Sequence, residues 1–195
     1  MGKPAVAIGI RPHTGWAVAV IVGGTAVSPQ VLHRERVELV PGDVERFAYH
    51  LVQDWPLAKA AASVEAAHVA VEATTTEVLA DLCTRARALG KLAGVGLVGE
   101  PHDVPELERV LASHTLLHTA EGELFFGTLV DAATKQRVGV TLVPPKATLD
   151  SAADALGTDP TQLTQRLAGL RAELGAPWQA DHKAATAAAL VALEA

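Results

Sequence analysis

Cysteine, aromatic side chains, long apolar runs and excess positive charge are all scarce in this 195-residue chain. A single cysteine, Cys83, permits no internal disulfide and fits a reducing compartment. Aromatic residues make up 4% of the chain, whereas alanine occurs 37 times, which suits close-packed helices and excludes collagen-like, disordered and disulfide-framed proteins. No apolar run approaches the roughly 18–20 residues of a membrane span. The N-terminus carries one lysine and no signal-peptide layout, so the expected location is the cytoplasm, with no membrane partner. Sixteen Lys and Arg against 22 Asp and Glu give a net charge of −6, which disfavours nucleic acid as a partner without forbidding it.

The apolar content that remains, 49%, is arranged as an α/β pattern. Residues 4–10 and 16–22 are apolar on both alternating faces, as interior strands would be, with a turn at residues 12–15 between them. Gly23-Gly24 marks a hairpin before a third strand at 31–40, whose charges (His33, Arg34, Glu35, Arg36, Glu38) suit a sheet edge. The pattern then predicts helices over 42–53 and 55–65 and a short strand at 67–72, adjacent and parallel to the first. Thr74-Thr75-Thr76-Glu77 reads as a capping box opening a helix to Gly90. Residues 95–98 suit a strand or a helix extension. A helix with Pro105 near its start runs to Ser113, another spans 119–133, and 138–143 reads as an interior strand stopped by Pro144-Pro145. Asp159 caps a further helix, and Asp181 opens an Ala-rich last one. The economical organisation is one domain over 1–195, with a helical insertion at about 100–135.

Three sets of residues have chemical potential. Ala7-Ile8-Gly9-Ile10-Arg11-Pro12 lies on the first strand, Val69-Ala70-Val71-Glu72 precedes a helix, and Asp181 to Leu190 is the last helix. In this order they resemble the RuvC-type Holliday-junction resolvases of the ribonuclease-H-like superfamily, whose first strand reads Gly-Ile-Asp-Pro-Gly. The likeness covers roughly residues 4–99 and 138–193. It implies a mixed sheet of five or six strands, opened by a three-strand meander, with helices on both faces. It also implies a site where four carboxylates hold two Mg²⁺ that activate water and stabilise the leaving oxygen of a phosphodiester. Under the resemblance Glu72 and Asp181 match two of those acids, while Arg11 stands at the first-strand aspartate and Ala184 at the second acid of the last helix. A guanidinium cannot ligate Mg²⁺.

The resemblance thus implies a catalytically degenerate protein that binds a ligand or partner and needs no cofactor. A metal-dependent nuclease or phosphoesterase would instead use Glu72 and Asp181 around Mg²⁺, with His13 or His118 beside them. A third class is an assembly protein forming a homodimer through Ala-rich helices. Each residue also has a plainer role available. Asp181 could serve only as a helix N-cap, and Glu72 could pair with Arg11 across neighbouring strands. His13, in a turn beside Arg11, could be a general base near neutral pH or a solvated surface group. Arg85, Arg87 and Lys91 make a modest basic patch better read as a solvated face, and Cys83 belongs to a helix's apolar side.

His114, His118 and Glu121 would share one face if 114–121 were a continuous helix, and two imidazoles with a carboxylate suit a transition metal. Thr119 reads as a fresh helix start that breaks this face, so the sequence-based expectation is a binding role and no metal.

Overall fold

The computed structural model describes residues 2–195. Strands β1 (Ala5–His13), β2 (Trp16–Gly24) and β3 (Pro29–Glu38) form an antiparallel meander. Strands β4 (Lys91–Val98) and β5 (Val140–Val143) extend it in parallel, giving the five-stranded order β3-β2-β1-β4-β5. This is the ribonuclease-H-like mixed sheet expected from the sequence, with the charged third strand at one edge. The hairpin between β1 and β2 is tighter than expected. β1 continues to His13, which pairs with Trp16, and the two-residue turn holds Gly15 at φ 84°. Arg11 and His13 therefore project from the strand itself.

The parallel neighbour of β1 is β4 and not residues 67–72, which lie within α2 (Leu57–Leu89). Ala67 to Glu72 alternates like a strand when read alone. Over the full helix the buried positions are Ala60, Val64, Ala67, Val71, Thr75, Leu79, Leu82, Cys83 and Ala86, a helical repeat of threes and fours. The threonines that looked like a cap are absorbed mid-helix: Thr74 and Thr76 donate their hydroxyls to the carbonyls of Ala70 and Glu72. Upstream, the helix expected over 42–53 shrinks to α1 (Ala48–Leu51). Residues 140–143 form the outer edge of the sheet rather than an interior strand, because β5 ends the strand order among the described residues.

Side chains alternate across the sheet and define two layers. Val6, Ile8 and Ile10 face α2 and α4 (His114–Lys135), packing with Leu79, Leu82, Phe125 and Leu129. Ala7, Val18 and Val20 face α8 (Ala180–Glu194), with α5 (Thr148–Ala155) and α6 (Pro160–Gly169) behind it. A four-residue α7 (Arg171–Leu174) follows α6. α8 is held close because both layers of contact are small. Ala185, Ala188 and Ala189 are fully buried, and Gly9 and Gly96, paired across β1 and β4, present no Cβ beneath them.

A third cluster joins the helices beyond one end of the sheet. Tyr49 and Val52 pack with Ala60 and Val64 of α2, Val110 of α3 (Leu107–Leu111), and Leu117 and Ala120 of α4. Among the described residues no helix is long and apolar enough to cross a membrane.

Candidate functional site

The carboxyl ends of β1 and β4 open into a cleft of about 540 Å³. Its walls include Arg11, His13, Glu100, His102, His114, His118, Glu123 and Phe126. A second hollow of about 450 Å³ lies across Arg11 and is lined by Asp181, Lys183, Ala184, Asp150 and Thr148. Arg11 lines both.

Arg11, His13 and Asp181 converge. His13 Nε2 lies 3.2 Å from Asp181 Oδ1 without hydrogen-bond alignment, and Arg11 Nε lies 4.0 Å from the same oxygen. The imidazole is stacked on Trp16, with centroids 4.2 Å apart and planes 14° from parallel, and Arg36 covers the same indole at 4.1 Å. The β-hairpin thus fixes His13, while α8 delivers Asp181. Asp181 is not the N-cap of that helix. Gln179 takes the role, in a reciprocal box with His182, and leaves the Asp181 carboxylate free to meet Arg11 and His13.

Glu72 does not join them. It sits exposed on α2 and accepts a hydrogen bond from Lys135 Nζ at the end of α4, which lowers its pKa. The ion pair expected between Glu72 and Arg11 is therefore replaced by two separate pairs, Glu72 with Lys135 and Arg11 with Asp181. The acid just beyond the strand parallel to β1 is Glu100, which lines the cleft. Glu100 is not among the sequence-based candidates, because the apolar alternation at 67–72 points to a parallel strand there.

His114, His118 and Glu121 do share a continuous helix, contrary to the expected break at Thr119. Ser113 is the N-cap, its Oγ accepting from Leu116 N, and Thr119 donates its hydroxyl to Thr115 O inside the helix. His114 Nε2 and His118 Nε2 are 3.2 Å apart. A third imidazole, His50 of α1, joins them, its centroid 4.6 Å from His118 and 5.4 Å from His114. Glu121 is 1% exposed, and its Oε1 accepts from both His50 Nδ1 (2.7 Å) and the His50 backbone N–H (3.2 Å). No pairwise spacing in the sequence points to His50, because the third cluster brings α1 to α4 through Tyr49, Val52, Leu117 and Ala120.

Two other histidines, His68 and His182, have their pKa lowered. Burial lowers the pKa of His68, which meets the Tyr49 hydroxyl at 2.8 Å, with Glu65 opposing. Burial, then the charge of Arg34, lowers that of His182 against the pull of Asp181. An unfolded histidine titrates near 6.5, so below that pH the unfolded chain binds more protons than the folded one. Stability contributed by neutral His68 and His182 is full above about pH 6.5 and is lost as pH falls through their lower folded values. The urea midpoint should therefore drop between pH 7.5 and 5, and the His68→Gln, His182→Gln double variant should show a flatter profile. An equally steep profile in the double variant would place the acid sensitivity elsewhere.

No protein-family model matches the chain, and no curated protein does. Among solved structures it is similar to RuvC of T. thermophilus in complex with a Holliday junction substrate, at 18% identity and a TM-score of 0.52, with 96% of this chain and 91% of that chain covered. A structure of Thermus thermophilus RuvC gives 18% identity and a TM-score of 0.51, over 95% and 91% of the two chains. The fold is RuvC-like and ribonuclease-H-like.

Proposed function

We propose that this chain is a ligand-binding protein on a RuvC-like fold that does not cleave phosphodiesters by two-metal chemistry. The observation that carries this reading is the contact of Arg11 and His13 with Asp181. Where the resemblance asks for a carboxylate on the first strand, a permanent cation lies 4.0 Å from an acid that would have to ligate metal. Ala184 offers no donor, and Glu72 is engaged by Lys135. The residues at this end of the sheet do not fit a pair of Mg²⁺ ions, which require several oxygen ligands each.

The same arrangement suits an anionic ligand. Arg11 offers a forked donor to a carboxylate or phosphate from either hollow, and Lys183 adds charge on the α8 side. Phe126 and Val98 supply apolar walls to the larger cleft. The α8 alanines are buried within the chain's own core, so a homodimer would have to use another Ala-rich face, such as the exposed alanines of α2.

Cleavage assays on branched DNA and RNA–DNA hybrid, with Mg²⁺ or Mn²⁺, test this directly. No cleavage is expected above the background of Asp181→Asn. Cleavage by the wild type that is lost in both Asp181→Asn and Glu100→Gln would overturn the reading in favour of a nuclease. In parallel, thermal-shift screening against small phosphates and carboxylates should yield stabilisation that Arg11→Ala removes.

A further inference from the structure

We propose that His50, His114 and His118 form a binding site for a divalent transition ion, Zn²⁺ above all, with Glu121 as the carboxylate behind it. The site does not depend on the reading of Arg11 and Asp181. The expectation of no metal rested on a helix start at Thr119, and the structure places that start at Ser113.

The geometry has three parts. One ligand nitrogen from each of the three imidazoles lies within 4.8 Å of the others. His114 Nε2 and His118 Nε2 are already 3.2 Å apart. Tetrahedral zinc with Zn–N bonds of about 2.0–2.1 Å spaces its nitrogens by about 3.3 Å. His114 and His118 are exposed on the first turns of α4, so their rings are free of core packing that would resist turning toward His50.

The second part is the orientation of His50. Its Nδ1 is engaged by Glu121 Oε1 at 2.7 Å, which leaves Nε2 as the nitrogen available to a metal. A ligating histidine whose other nitrogen donates to a carboxylate is the usual outer shell of such centres.

The third part is Glu121 itself. It is 1% exposed, yet Oε2 has no hydrogen-bond partner, and His118 Nδ1 stands 4.0 Å from it. A buried carboxylate with an orphaned oxygen is unfavourable unless charge or a donor compensates it. A metal on His118 Nε2 would fix that ring's proton on Nδ1, the nitrogen facing Oε2. It would also set a positive ion beside the carboxylate. One buried acid would then orient two of the three ligands. Three neutral imidazoles with one coordination position left over suit Zn²⁺ and other borderline ions better than Mg²⁺ or Ca²⁺. Because His114 and His118 line the cleft, the remaining position would be open to water or to a ligand bound there.

The experiment uses the full chain without a histidine tag, stripped by chelator and titrated with Zn²⁺ against a chromophoric competitor. One Zn²⁺ per chain at sub-micromolar affinity is expected, and Co²⁺ should give the visible bands of a four-coordinate ion. His114→Ala and His118→Ala should each weaken binding by about 100-fold or more, and Glu121→Gln by about 10–100-fold, as loss of an outer-shell partner does. His33→Ala, remote on the sheet edge, should change nothing. Should Glu121→Gln fail to fold, the two variants at exposed positions decide the matter. Binding weaker than about 100 µM, or unchanged by His118→Ala, would overturn the proposal and leave the pair as imidazoles hydrogen-bonded to each other.

Discussion

Gly96→Ala is expected to lower the melting temperature by about 6–12 °C, and Gly96→Val to leave little folded protein. A Cβ at position 96 would lie 1.9 Å from the Ala188 carbonyl oxygen, 2.2 Å from its carbon and 2.8 Å from Ala189 N. These are backbone atoms of α8, so no rotamer change relieves the overlap and the helix itself must lift. Overpacking a core costs about 1–3 kcal/mol and occasionally more. At about 3 kcal/mol, the conversion of roughly 2–4 °C per kcal/mol for a domain of this size gives the stated range. Gly122→Ala supplies the contrast. It lies within α4, a Cβ there would meet nothing within 4 Å, and exchanging Gly for Ala in a helix should stabilise by about 0.5–1 kcal/mol. Both melts can be followed by far-UV circular dichroism. A Gly96→Ala protein as stable as wild type would mean that α8 does not rest on β4 this closely. The consequence reaches the site, because the seating of α8 on Gly9 and Gly96 is what carries Asp181 to Arg11 and His13.

The sheet was legible where strands declare themselves locally. β1 and β2 are apolar on both faces, β3 carries the charges of an edge, and the order of elements placed the fold. α2 was not legible in short windows. Its residues 67–72 mimic a strand, and only the burial repeat from Ala60 to Ala86 exposes the helix. That one misplacement moved the parallel strand, and with it the acid expected at its end, from Glu100 to Glu72. The histidine cluster failed for two different physical reasons. Thr119 has the composition of a cap but uses its hydroxyl inside the helix, which hid the shared face of His114 and His118. His50 comes from a separate four-residue helix set in place by tertiary packing, and no local spacing encodes that. Arg11, His13 and Asp181 were each visible in the sequence as candidates, but their meeting was not, because it depends on how α8 seats against the ends of β1 and its hairpin.

Arg11→Asp is expected to tighten Mg²⁺ binding at least about tenfold over a wild type that binds it weakly. In the wild type a divalent ion beside Asp181 would face a guanidinium whose Nε is 4.0 Å from Oδ1. Unit charges at 4 Å and an effective dielectric near 20 interact by about 4 kcal/mol, and a divalent ion doubles this. The two side chains are 27% and 30% exposed, so solvent screens part of that repulsion. If only about a fifth survives, the remaining ~1.6 kcal/mol still exceeds a factor of ten in affinity. The substitution also adds a carboxylate beside Asp181, and Glu100 stands at the end of the neighbouring strand. Calorimetric titration with Mg²⁺ should therefore rank Arg11→Asp above Arg11→Ala and both above wild type, and adding Asp181→Asn to Arg11→Asp should remove most of the gain. Cleavage activity is not expected to return with it, because Ala184 leaves α8 one acid short of the four-carboxylate pattern. The same Mg²⁺ affinity in wild type and Arg11→Asp would mean that positions 11, 100 and 181 do not converge on a common cation, and that Arg11 is not what keeps Mg²⁺ from this end of the sheet.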